Sequence, residues 1–446
     1  MLTYGKVIIT PVWMETVMCN PAKDAFINRA VTNCLSRGSA IGMLLGTAAL
    51  FASGGVSRAQ GLTTLASFNG SDGANPYSGL TLSKGILYGT TGRGGANGDG
   101  AVFSLPVTGG TPNVLTSFGG ANGEYPDASL TLSDGTLYGT TYQGGASGAG
   151  EVFSLPTSGG TPSVLASFNG DNGAGPYCGL VLSGNTLYGT TQAGGATYGT
   201  GINGGLGEVF SFSLADHTLS IMASFDGADG AGPTTGLTLS GNTLYGTTAA
   251  GGANRDGEIF SLPVTGGAPA VLASFSAADG ISPGPSPTFG LILAGNTLYG
   301  TTKLNAAGTI FSLSLTNDTI TGLTKFNGAN GQTPLANLAL SGNTLYGITK
   351  SGGANGDGEV FSLPITGGTP TILASFNGNN GDAPWGGLIL SGSTLYGTTA
   401  LGGAYGDGTV FSLPIPEPAS LALLAVGGVP LLVRQRRRNK VENTVP

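Results

Sequence analysis

The 446-residue sequence has few of the residues from which most active sites are built. It contains one histidine, three cysteines and two tryptophans, and 9% of its residues are charged. A single histidine, His217, excludes histidine-rich metal centres and argues against a Ser-His-Asp triad. His217 is predicted to be a solvated turn residue. The sequence contains 83 glycines, but 40% of its residues are hydrophobic and recur at regular spacing, which indicates a folded, turn-rich β protein.

Cysteine is too scarce to cross-link the body of the protein. Cys19 and Cys34 fall in the first 60 residues, which leaves Cys178 alone in the remainder. The body therefore has no intrachain disulfide, and packing must stabilise it. We interpret Cys178 as a small buried apolar residue rather than a nucleophile.

Positive charge is also scarce outside the two ends of the chain. Residues 60–418 contain 20 acidic and 6 basic residues, a net charge near −14. This balance argues against nucleic acid and anionic membranes as partners, and favours cations or basic partners.

The N-terminal region has the layout of a secretory signal peptide. Residues 41–56 form an apolar core, Arg29 and Arg37 precede it, and Ser57-Arg58-Ala59 follows with small residues at the cleavage-determining positions. We predict that residues 1–60 are a leader and signal peptide. The length of this leader favours a start at an internal methionine such as Met14 or Met18.

The C-terminal region combines a short box, an apolar span and a basic cluster. Pro416-Glu417-Pro418 leads into the apolar residues 419–433, and Arg434, Arg436, Arg437 and Arg438 follow. A span of about 15 residues is short for a bilayer, which takes roughly 20. The arginines indicate a cytoplasmic end, because Lys and Arg resist translocation.

This three-part tail resembles the PEP-CTERM sorting signal of bacterial surface proteins. The resemblance implies an exosortase-type peptidase as partner, transient membrane insertion through 419–433, cleavage near the box, and transfer to the envelope or exopolysaccharide matrix. We assign 415–440 to the sorting signal and 441–446 to a cytoplasmic tail. The alternative is a plain single-span anchor.

Between these ends, one unit of about 50 residues occurs seven times. Three markers recur in order: Leu-Tyr-Gly, Val/Ile-Phe-Ser, and Ser-Phe, which is Lys-Phe once. Such a period is typical of a propeller blade and too long for one coil of a solenoid. The Leu-Tyr-Gly triplets start at Leu87, Leu137, Leu187, Leu244, Leu298, Leu345 and Leu395.

Each unit is predicted to contain four short antiparallel strands, named a to d. In the third unit these are 179–183, 186–191, 208–214 and 219–225, with a hairpin signal at Gly184-Asn185. Residues 61–414 are therefore predicted to form an all-β, seven-bladed β-propeller. One N-terminal strand, 63–68, and three C-terminal strands would complete the last blade and leave no exposed edge. An open β-array or solenoid is the alternative.

The units resemble the GloVer-type tandem repeats of bacterial surface proteins, through Leu-Tyr-Gly-Thr-Thr, Gly-Gly-Ala and Val-Phe-Ser-Leu. The resemblance covers roughly residues 62–413. It implies a surface location with one of several C-terminal anchors, and it implies no enzyme activity or ligand.

Strand order places the b–c and d–a loops on one face, and 16 of the 20 acidic residues lie in or beside these loops. Asp next to Gly is typical of turns, because its carboxylate accepts backbone N–H bonds. The sharper hypothesis is a Ca²⁺-binding face, since carboxylates and loop carbonyls are hard ligands. Its candidate residues are Asp72, Asp99, Asp171, Asp256, Asp357 and Asp407. No other cofactor is predicted.

A second hypothesis comes from the residue that follows the proline of each d–a loop. This position varies while its flanks barely change, and it is predicted to lie at the mouth of the central channel. Tyr and Trp would stack on sugar rings and Asp would accept hydroxyl hydrogen bonds; alternatively these side chains merely cap the channel. The candidate ligand ring comprises Tyr77, Asp127, Tyr177 and Trp385, with Thr234, Thr288 and Leu335 at the same position.

These features together predict an exported, non-catalytic surface or matrix interaction protein that binds glycans or Ca²⁺. The alternative function is a polysaccharide-active enzyme, a glycosidase or lyase, that uses carboxylates on the loop face.

Overall fold

The computed structural model of the protein describes residues 61–195, 205–276, 290–304 and 307–415. The predicted leader, the PEP-CTERM residues Pro416 to Arg438 and the ring residue Thr288 lie outside these ranges. Within them, no helix has the length and apolar character needed to cross a membrane.

The described residues form seven antiparallel β-sheets, each built from one sequence unit or from the two ends of the domain. The first six sheets each run in sequence order from the inner to the outer strand. Blades 1 to 3 are β2–β5 (Thr81–Ser83, Ile86–Thr91, Ala101–Pro106, Asn113–Ser117), β6–β9 (Thr131–Ser133, Thr136–Thr141, Glu151–Pro156, Ser163–Ser167) and β10–β13 (Val181–Ser183, Thr186–Thr191, Glu208–Ser213, Thr218–Ser224).

Blades 4 to 6 are β14–β17 (Thr238–Ser240, Thr243–Thr247, Glu258–Pro263, Ala270–Ser274), β18–β21 (Ile292–Ala294, Thr297–Leu304, Ala307–Ser314, Thr319–Phe326) and β22–β25 (Ala339–Ser341, Thr344–Thr349, Glu359–Pro364, Thr371–Ser375). Blade 7 contains β26 (Asp382–Pro384), β27 (Ile389–Ser391), β28 (Thr394–Leu401) and β29 (Thr409–Pro414) together with β1 (Thr63–Ser67). The predicted seven-bladed β-propeller is confirmed.

The ring closes as the sequence predicts, with one N-terminal strand completing blade 7. β1 pairs with β29 through Thr63↔Ser412 and Ser67↔Thr409. Across the junction with blade 1, Thr398 Oγ1 donates a 3.0 Å hydrogen bond to the carbonyl of Ser78. Closure therefore pairs the edge that either end of the chain would otherwise expose.

The aromatic markers of the sequence meet at the seams between blades. At each seam, the Phe after strand d contacts the Phe of strand c in the next blade, with ring centroids 5.0–5.3 Å apart. These rings are 0–2% exposed, so each seam combines burial with a favourable aromatic geometry. The seven pairs are Phe68–Phe103, Phe118–Phe153, Phe168–Phe210, Phe225–Phe260, Phe275–Phe311, Phe326–Phe361 and Phe376–Phe411.

The glycine of each Leu-Tyr-Gly triplet makes room for these rings. In blade 2, Gly139 lies opposite Phe153 in the β7–β8 ladder. A Cβ at Gly139 would lie 2.6 Å from the ring carbon Cζ of Phe153, which no real side chain tolerates. The triplet and the Val/Ile-Phe-Ser marker are therefore two halves of one packing unit.

The innermost strands are shorter than predicted. Strand a of the third unit was expected over residues 179–183 and is observed as Val181–Ser183. The residues just before strand a form hydrogen bonds that involve side-chain oxygens, in place of some hydrogen bonds of the backbone ladder. In blade 1, Ser78 Oγ is 2.8 Å from Thr90 Oγ1, and Gly79 N–H donates to Ser129 Oγ of blade 2 at 3.0 Å. These residues lead the chain into the channel.

The b–c and d–a loops lie on the same face, as expected. In blade 1, Ala74 of the loop before strand a exchanges two backbone hydrogen bonds with Arg93 of the b–c loop, at 2.8 and 3.0 Å. The same pairing recurs as Glu124 with Gln143 and as Ala174 with Ala193. The two loop sets therefore build one surface around the channel mouth.

Candidate binding site at the channel mouth

The predicted ligand-ring residues come together at the mouth of the channel. The rings of Tyr77 in blade 1 and Trp385 in blade 7 meet edge to face, with centroids 5.4 Å apart. Asp127, Tyr177 and Thr234, from blades 2, 3 and 4, line one cavity of about 770 Å³. Leu335 of blade 6 is buried.

A second ring, which the sequence reasoning missed, interlocks with the first. It consists of the residue after Thr-Thr or Ile-Thr at the end of strand b, and this residue differs from unit to unit. Members of the second ring contact the first-ring residue of the following blade. The ring centroids of Tyr142 and Tyr177 are 5.3 Å apart, and Lys350 Nζ lies 4.1 Å from the ring centroid of Trp385. Its members are Gly92, Tyr142, Gln192, Ala249, Lys303, Lys350 and Ala400.

The signal for this second ring was present in the sequence. The position varies inside a constant frame in the same way as the position after the loop proline. It was overlooked because it ends a strand whose other residues are small and repetitive. Only the fold places the end of one strand b beside the d–a loop of the next blade.

Asp127 and Gly92 form the tightest contact between the two rings. A Cβ at Gly92 would collide with Asp127 Oδ1 and lie 2.9 Å from Tyr77 Cδ2, so the carboxylate packs where a side chain would otherwise stand. Asp127 Oδ1 is buried and has no hydrogen-bond partner within the described part of the chain. Burial raises the pKa of Asp127 to about 7, and the charge of Arg93 offsets this rise in part.

The cavity beside Asp127 has an aromatic wall and polar ends. Tyr142 and Tyr177 form the wall, and Gln192 and Thr234 lie further round the ring. Thr234 Oγ1, like Asp127 Oδ1, is buried with no partner among the described residues. Burial, followed by the charge of Asp127, raises the pKa of Tyr177. A ligand here would meet the tyrosine rings together with the side chains of Asp127 and Thr234.

The opposite side of the mouth is positively charged. Lys350 covers one face of the Trp385 ring, so a sugar stacking on that face would have to displace the ammonium group. Burial lowers the pKa of Lys350, the charge of Lys303 lowers it further, and Asp382 raises it. The mouth thus has a carboxylate in blade 2 and two lysines in blades 5 and 6.

Below the mouth the channel is narrow. A cavity of about 190 Å³ is lined by Ser129, Gly179, Gly236, Gly290 and Asn337, which occupy the same position in successive blades. A Cβ at Gly290 would lie 2.7 Å from the carbonyl oxygen of Gly236. The small residues therefore set how closely the inner strands of neighbouring blades approach each other.

The candidate cation-binding aspartates are mostly parts of turns. Asp72 Oδ1 accepts the N–H of Asn69 at 2.9 Å, and Asn69 Oδ1 accepts the N–H of Asp72 at 3.3 Å. Asp226 and Asp229 repeat this reciprocal arrangement. The backbone N–H of Asp171 donates to Asn169 Oδ1, and the residue is exposed.

The aspartates of the b–c loops tie neighbouring blades together through their backbones. The carbonyls of Asp99, Asp357 and Asp407 accept the N–H groups of Tyr125, Ala383 and Asn75. Asp256 pairs with Gly251 in its own loop. Across the described ranges, no three His, Cys, Asp or Glu side chains gather as a metal site. Ca²⁺ would therefore depend largely on loop carbonyls.

Four glutamates counted with the loop face are in fact buried beneath it. Each is 1–2% exposed, and each Oε1 accepts a hydrogen bond of 2.9–3.1 Å from a serine on strand d of its blade. They are buried because each is the first residue of strand c, which begins under the b–c loop. They are Glu151, Glu208, Glu258 and Glu359.

The remaining reactive side chains behave as the sequence indicates. Cys178 is 1% exposed, and burial raises the pKa of its thiol to about 12, so it is not a thiolate at neutral pH. His217 lies exposed in the turn between β12 and β13, with φ of 54°.

Comparison with known proteins identifies the repeats. The model of the Gloeobacter/Verrucomicrobia repeat matches residues 42–202 and 303–424, more than half of the chain. The chain belongs to this repeat family. In this structure, the Gloeobacter/Verrucomicrobia repeats form the blades of the propeller, and residues at the two mouth rings differ from one repeat to the next.

Solved structures with low identity also resemble the repeat domain. An oligogalacturonate lyase in complex with manganese is 12% identical, with a TM-score of 0.47 over 80% of this chain and 97% of the lyase. A putative 6-phosphogluconolactonase from Bacteroides uniformis is 18% identical, with a TM-score of 0.45 over 70% and 88%. A puromycin-hydrolysing peptidase from Mycobacterium tuberculosis is 15% identical, with a TM-score of 0.48 over 80% and 54%.

These likenesses say nothing about the chemistry of this Gloeobacter/Verrucomicrobia repeat protein, because each TM-score is below 0.5 and each identity is below 25%. Among curated proteins, none matches this chain.

Proposed function

We propose that this chain is an exported, non-catalytic interaction protein of the cell surface or extracellular matrix, and that its channel mouth binds glycans. The observation that carries the proposal is the cavity of about 770 Å³ between blades 2 and 4, with its tyrosine wall and two unpartnered polar oxygens.

The chemistry of this cavity suits a sugar. Its volume lies in the range of small-molecule pockets, about 300–1,000 Å³. The edge-to-face pair Tyr142–Tyr177 offers apolar surface to the C–H face of a sugar ring. Asp127 and Thr234 contribute polar side chains to the cavity wall, and each has a buried oxygen without a partner among the described residues. A rotation of either side chain towards the cavity would let that oxygen accept a hydrogen bond from a sugar hydroxyl, and a polar atom gains most from a partner when it otherwise lacks one.

A glycan array probed with the purified full-length protein tests the proposal, followed by titration calorimetry on the ligands found. Tyr177→Ala, in the wall of the cavity, is expected to weaken binding at least tenfold. Trp385→Ala, on the other side of the mouth and outside the cavity, tests whether the bound glycan extends across the mouth. Tyr405→Ala is the matched control, because Tyr405 is 66% exposed on the b–c loop of blade 7. Binding that survives both mouth substitutions unchanged would refute a sugar site here.

The location of the protein rests on the two ends of the chain. Their signal-peptide and PEP-CTERM patterns support export, recognition by an exosortase-type peptidase and release into the envelope or matrix. Expression with an exosortase, followed by mass spectrometry of the C-terminus, is expected to show cleavage near Pro416-Glu417-Pro418. A chain that keeps Arg434 to Arg438 in the mature product would favour a plain anchor.

A polysaccharide-active enzyme is the second candidate, and the raised pKa of Asp127 favours it. A carboxyl group with a pKa near 7 suits a general acid. Glycosidases, however, use two carboxyl groups about 5–9.5 Å apart, and Asp127 is the one carboxylate among the described residues that line the cavity. Release of reducing ends or unsaturated products from a bound glycan, lost in Asp127→Asn, would support the enzyme.

Ca²⁺ binding by the Asp loops is retained as a further part of the proposal. Equilibrium dialysis of the purified protein with ⁴⁵Ca²⁺ and thermal unfolding with and without EDTA test it. An unchanged melting temperature together with no bound Ca²⁺ would end this hypothesis without affecting the glycan site.

A further inference from the structure

The geometry of the mouth points to the class of sugar it takes: we propose that the cavity binds amino sugars, with the ammonium group of the ligand against the carboxylate of Asp127. The inference rests on the proposed glycan site and assigns its specificity.

The first argument is that Asp127 lacks a partner of opposite charge. Its Oδ1 is buried and has no hydrogen-bond partner among the described residues. Arg93 is near enough to influence its charge, but this arginine is exposed and its guanidinium carbon lies 5.9 Å from the ring centroid of Tyr125. A buried carboxylate is costly unless a cation or several hydrogen-bond donors accompany it.

The second argument is that tyrosines surround this carboxylate. Tyr77 packs against the same Gly92 backbone as Asp127 Oδ1, Tyr142 and Tyr177 line the cavity with Asp127, and the charge of Asp127 acts on both Tyr77 and Tyr177. An ammonium group is attracted to aromatic rings as well as to a carboxylate. Neutral sugars would use the rings but leave the charge of Asp127 uncompensated.

The third argument is the distribution of charge round the mouth. Lys303 and Lys350 lie in blades 5 and 6, across the ring from Asp127 in blade 2. The two lysines, offset in part by Asp382, make their side of the mouth less favourable for a cationic ligand than the side of Asp127, where Arg93 is the neighbouring cation. The body of the protein, with a net charge near −14, also attracts cations from solution.

Titration calorimetry with glucosamine tetramers and with the same tetramers fully N-acetylated tests the inference. At pH 7, where about half of Asp127 is ionised, the wild-type protein is expected to prefer the free amine about tenfold, since a hydrogen bond to a charged group contributes about 1.5–3 kcal/mol. Asp127→Asn, which keeps the shape of the side chain, is expected to reduce this preference to less than about twofold.

Asp134→Asn is the matched control and should keep the full preference. Asp134 lies in the a–b turn of blade 2, on the opposite face, with φ of 47°, which asparagine also adopts. The substitution removes one carboxylate from the same blade without touching the mouth.

A permanently charged ligand separates the titration of the protein from that of the sugar. Tetramers with trimethylated amines are expected to bind wild type more tightly as pH rises from 5.5 to 8, because Asp127 loses its proton in this interval. Asp127→Asn should remove most of this change. The other groups facing Asp127 are Arg93, Tyr77 and Tyr177. Burial raises the pKa of both tyrosines, so they stay neutral over this range.

Each remaining outcome has one meaning. Equal binding of amine and N-acetyl tetramers, lost in Tyr177→Ala but unchanged in Asp127→Asn, overturns the amino-sugar inference and leaves the glycan site standing. If neither tetramer nor any other glycan binds, the proposed function fails, and the inference fails with it.

Discussion

The seams between blades and the channel mouth are built from the same seven units but differ in how strictly they repeat. Every seam has a Phe–Phe pair at 5.0–5.3 Å. At the mouth, the residue after the loop proline is Tyr, Asp, Thr, Leu or Trp, and the residue after strand b is Gly, Tyr, Gln, Ala or Lys.

The difference has a physical origin. A seam must close at a nearly constant rotation per blade, so the same volumes must meet seven times, and core packing tolerates little change in volume. A mouth residue has solvent or a ligand on one side and can differ without moving the blade. Repetition in this chain marks the scaffold, and variation marks the surface available for recognition.

The largest expected effect comes from breaking a seam. Phe153→Ala removes a fully buried ring that packs against Phe118, and should lower the free energy of unfolding by about 3–5 kcal/mol. Urea unfolding measures it. Val164→Ala on the outer strand is the control, because Val164 is 44% exposed, and it should cost less than about 1 kcal/mol. Equal costs for the two substitutions would mean that the seams do not hold the ring together.

The next largest effect is a pH dependence of stability that comes from Asp127 at the mouth and not from the seams. Burial raises the pKa of Asp127 from 3.8 to about 7, so the folded state favours the neutral carboxyl. This contribution to stability is complete below about pH 4 and is lost as pH rises from about 4 to about 7. At pH 8 the charged group should cost up to about 4 kcal/mol.

Asp127→Asn should therefore match wild type near pH 4 and be more stable at pH 8, as measured by thermal unfolding at both values. Asp134→Asn provides the baseline for loss of a carboxylate outside the mouth. If the melting temperatures of wild type and Asp127→Asn differ by the same amount at pH 4 and at pH 8, the burial of Asp127 is contradicted.

A smaller effect tests the contact between the two mouth rings. Gly92→Ala places a Cβ against Asp127 and Tyr77 and should cost about 1–3 kcal/mol in urea unfolding. Ala249 stands at the same position in blade 4, so Ala249→Gly is the reverse control. Adding Asp127→Ala to Gly92→Ala should recover part of the loss. If Gly92→Ala is no worse than Ala249→Gly, the rings do not interlock as described.

The smallest expected effect concerns the residue that begins strand c beneath the b–c loop, which is a glutamate in some blades and not in others. In blade 4, Glu258 Oε1 accepts hydrogen bonds from Ser274 Oγ and from the N–H of Ala253, both at 2.9 Å. In blade 1, Ala101 replaces the glutamate, and Ser117 Oγ accepts the loop N–H of Ala96 at 3.1 Å. Serine can thus take over when the carboxylate is absent.

Glu258→Ala should accordingly cost only about 1 kcal/mol, because Ser274 would accept the Ala253 N–H. The double substitution Glu258→Ala/Ser274→Ala should cost about 1 kcal/mol more than the sum of the two single changes. Simple additivity in urea unfolding would show that the serine does not substitute for the glutamate.

Much of the fold could be predicted because the scaffold repeats. Seven copies of Leu-Tyr-Gly and of the two Phe markers indicated seven blades, and the lone strand before the first full unit indicated how the ring closes. The innermost strands were predicted too long, because side chains such as Ser78 Oγ replace ladder hydrogen bonds where the chain enters the channel. The hydrophobic pattern of a sequence does not show where a side-chain oxygen replaces a backbone partner in a hydrogen bond.

The candidate site was predictable only in part. Variation after the loop proline indicated Tyr77, Asp127, Tyr177 and Trp385 as neighbours at the mouth. The burial of Glu258 and its three counterparts could not be predicted, because a glutamate beside a glycine-rich loop has no sequence signal for burial. The serine that accompanies each of them is on another strand, 16 residues away.

The sequence by itself determined the number of blades, the closure of the ring and the face that holds the loops, since these follow from local patterns repeated along the chain. Tertiary structure alone decided which variable residues meet. Tyr142 reaches Tyr177, Lys350 covers Trp385, and Gly92 makes room for Asp127, each across a seam between two blades. Contacts between different units depend on the rotation from blade to blade, and no single unit encodes that rotation.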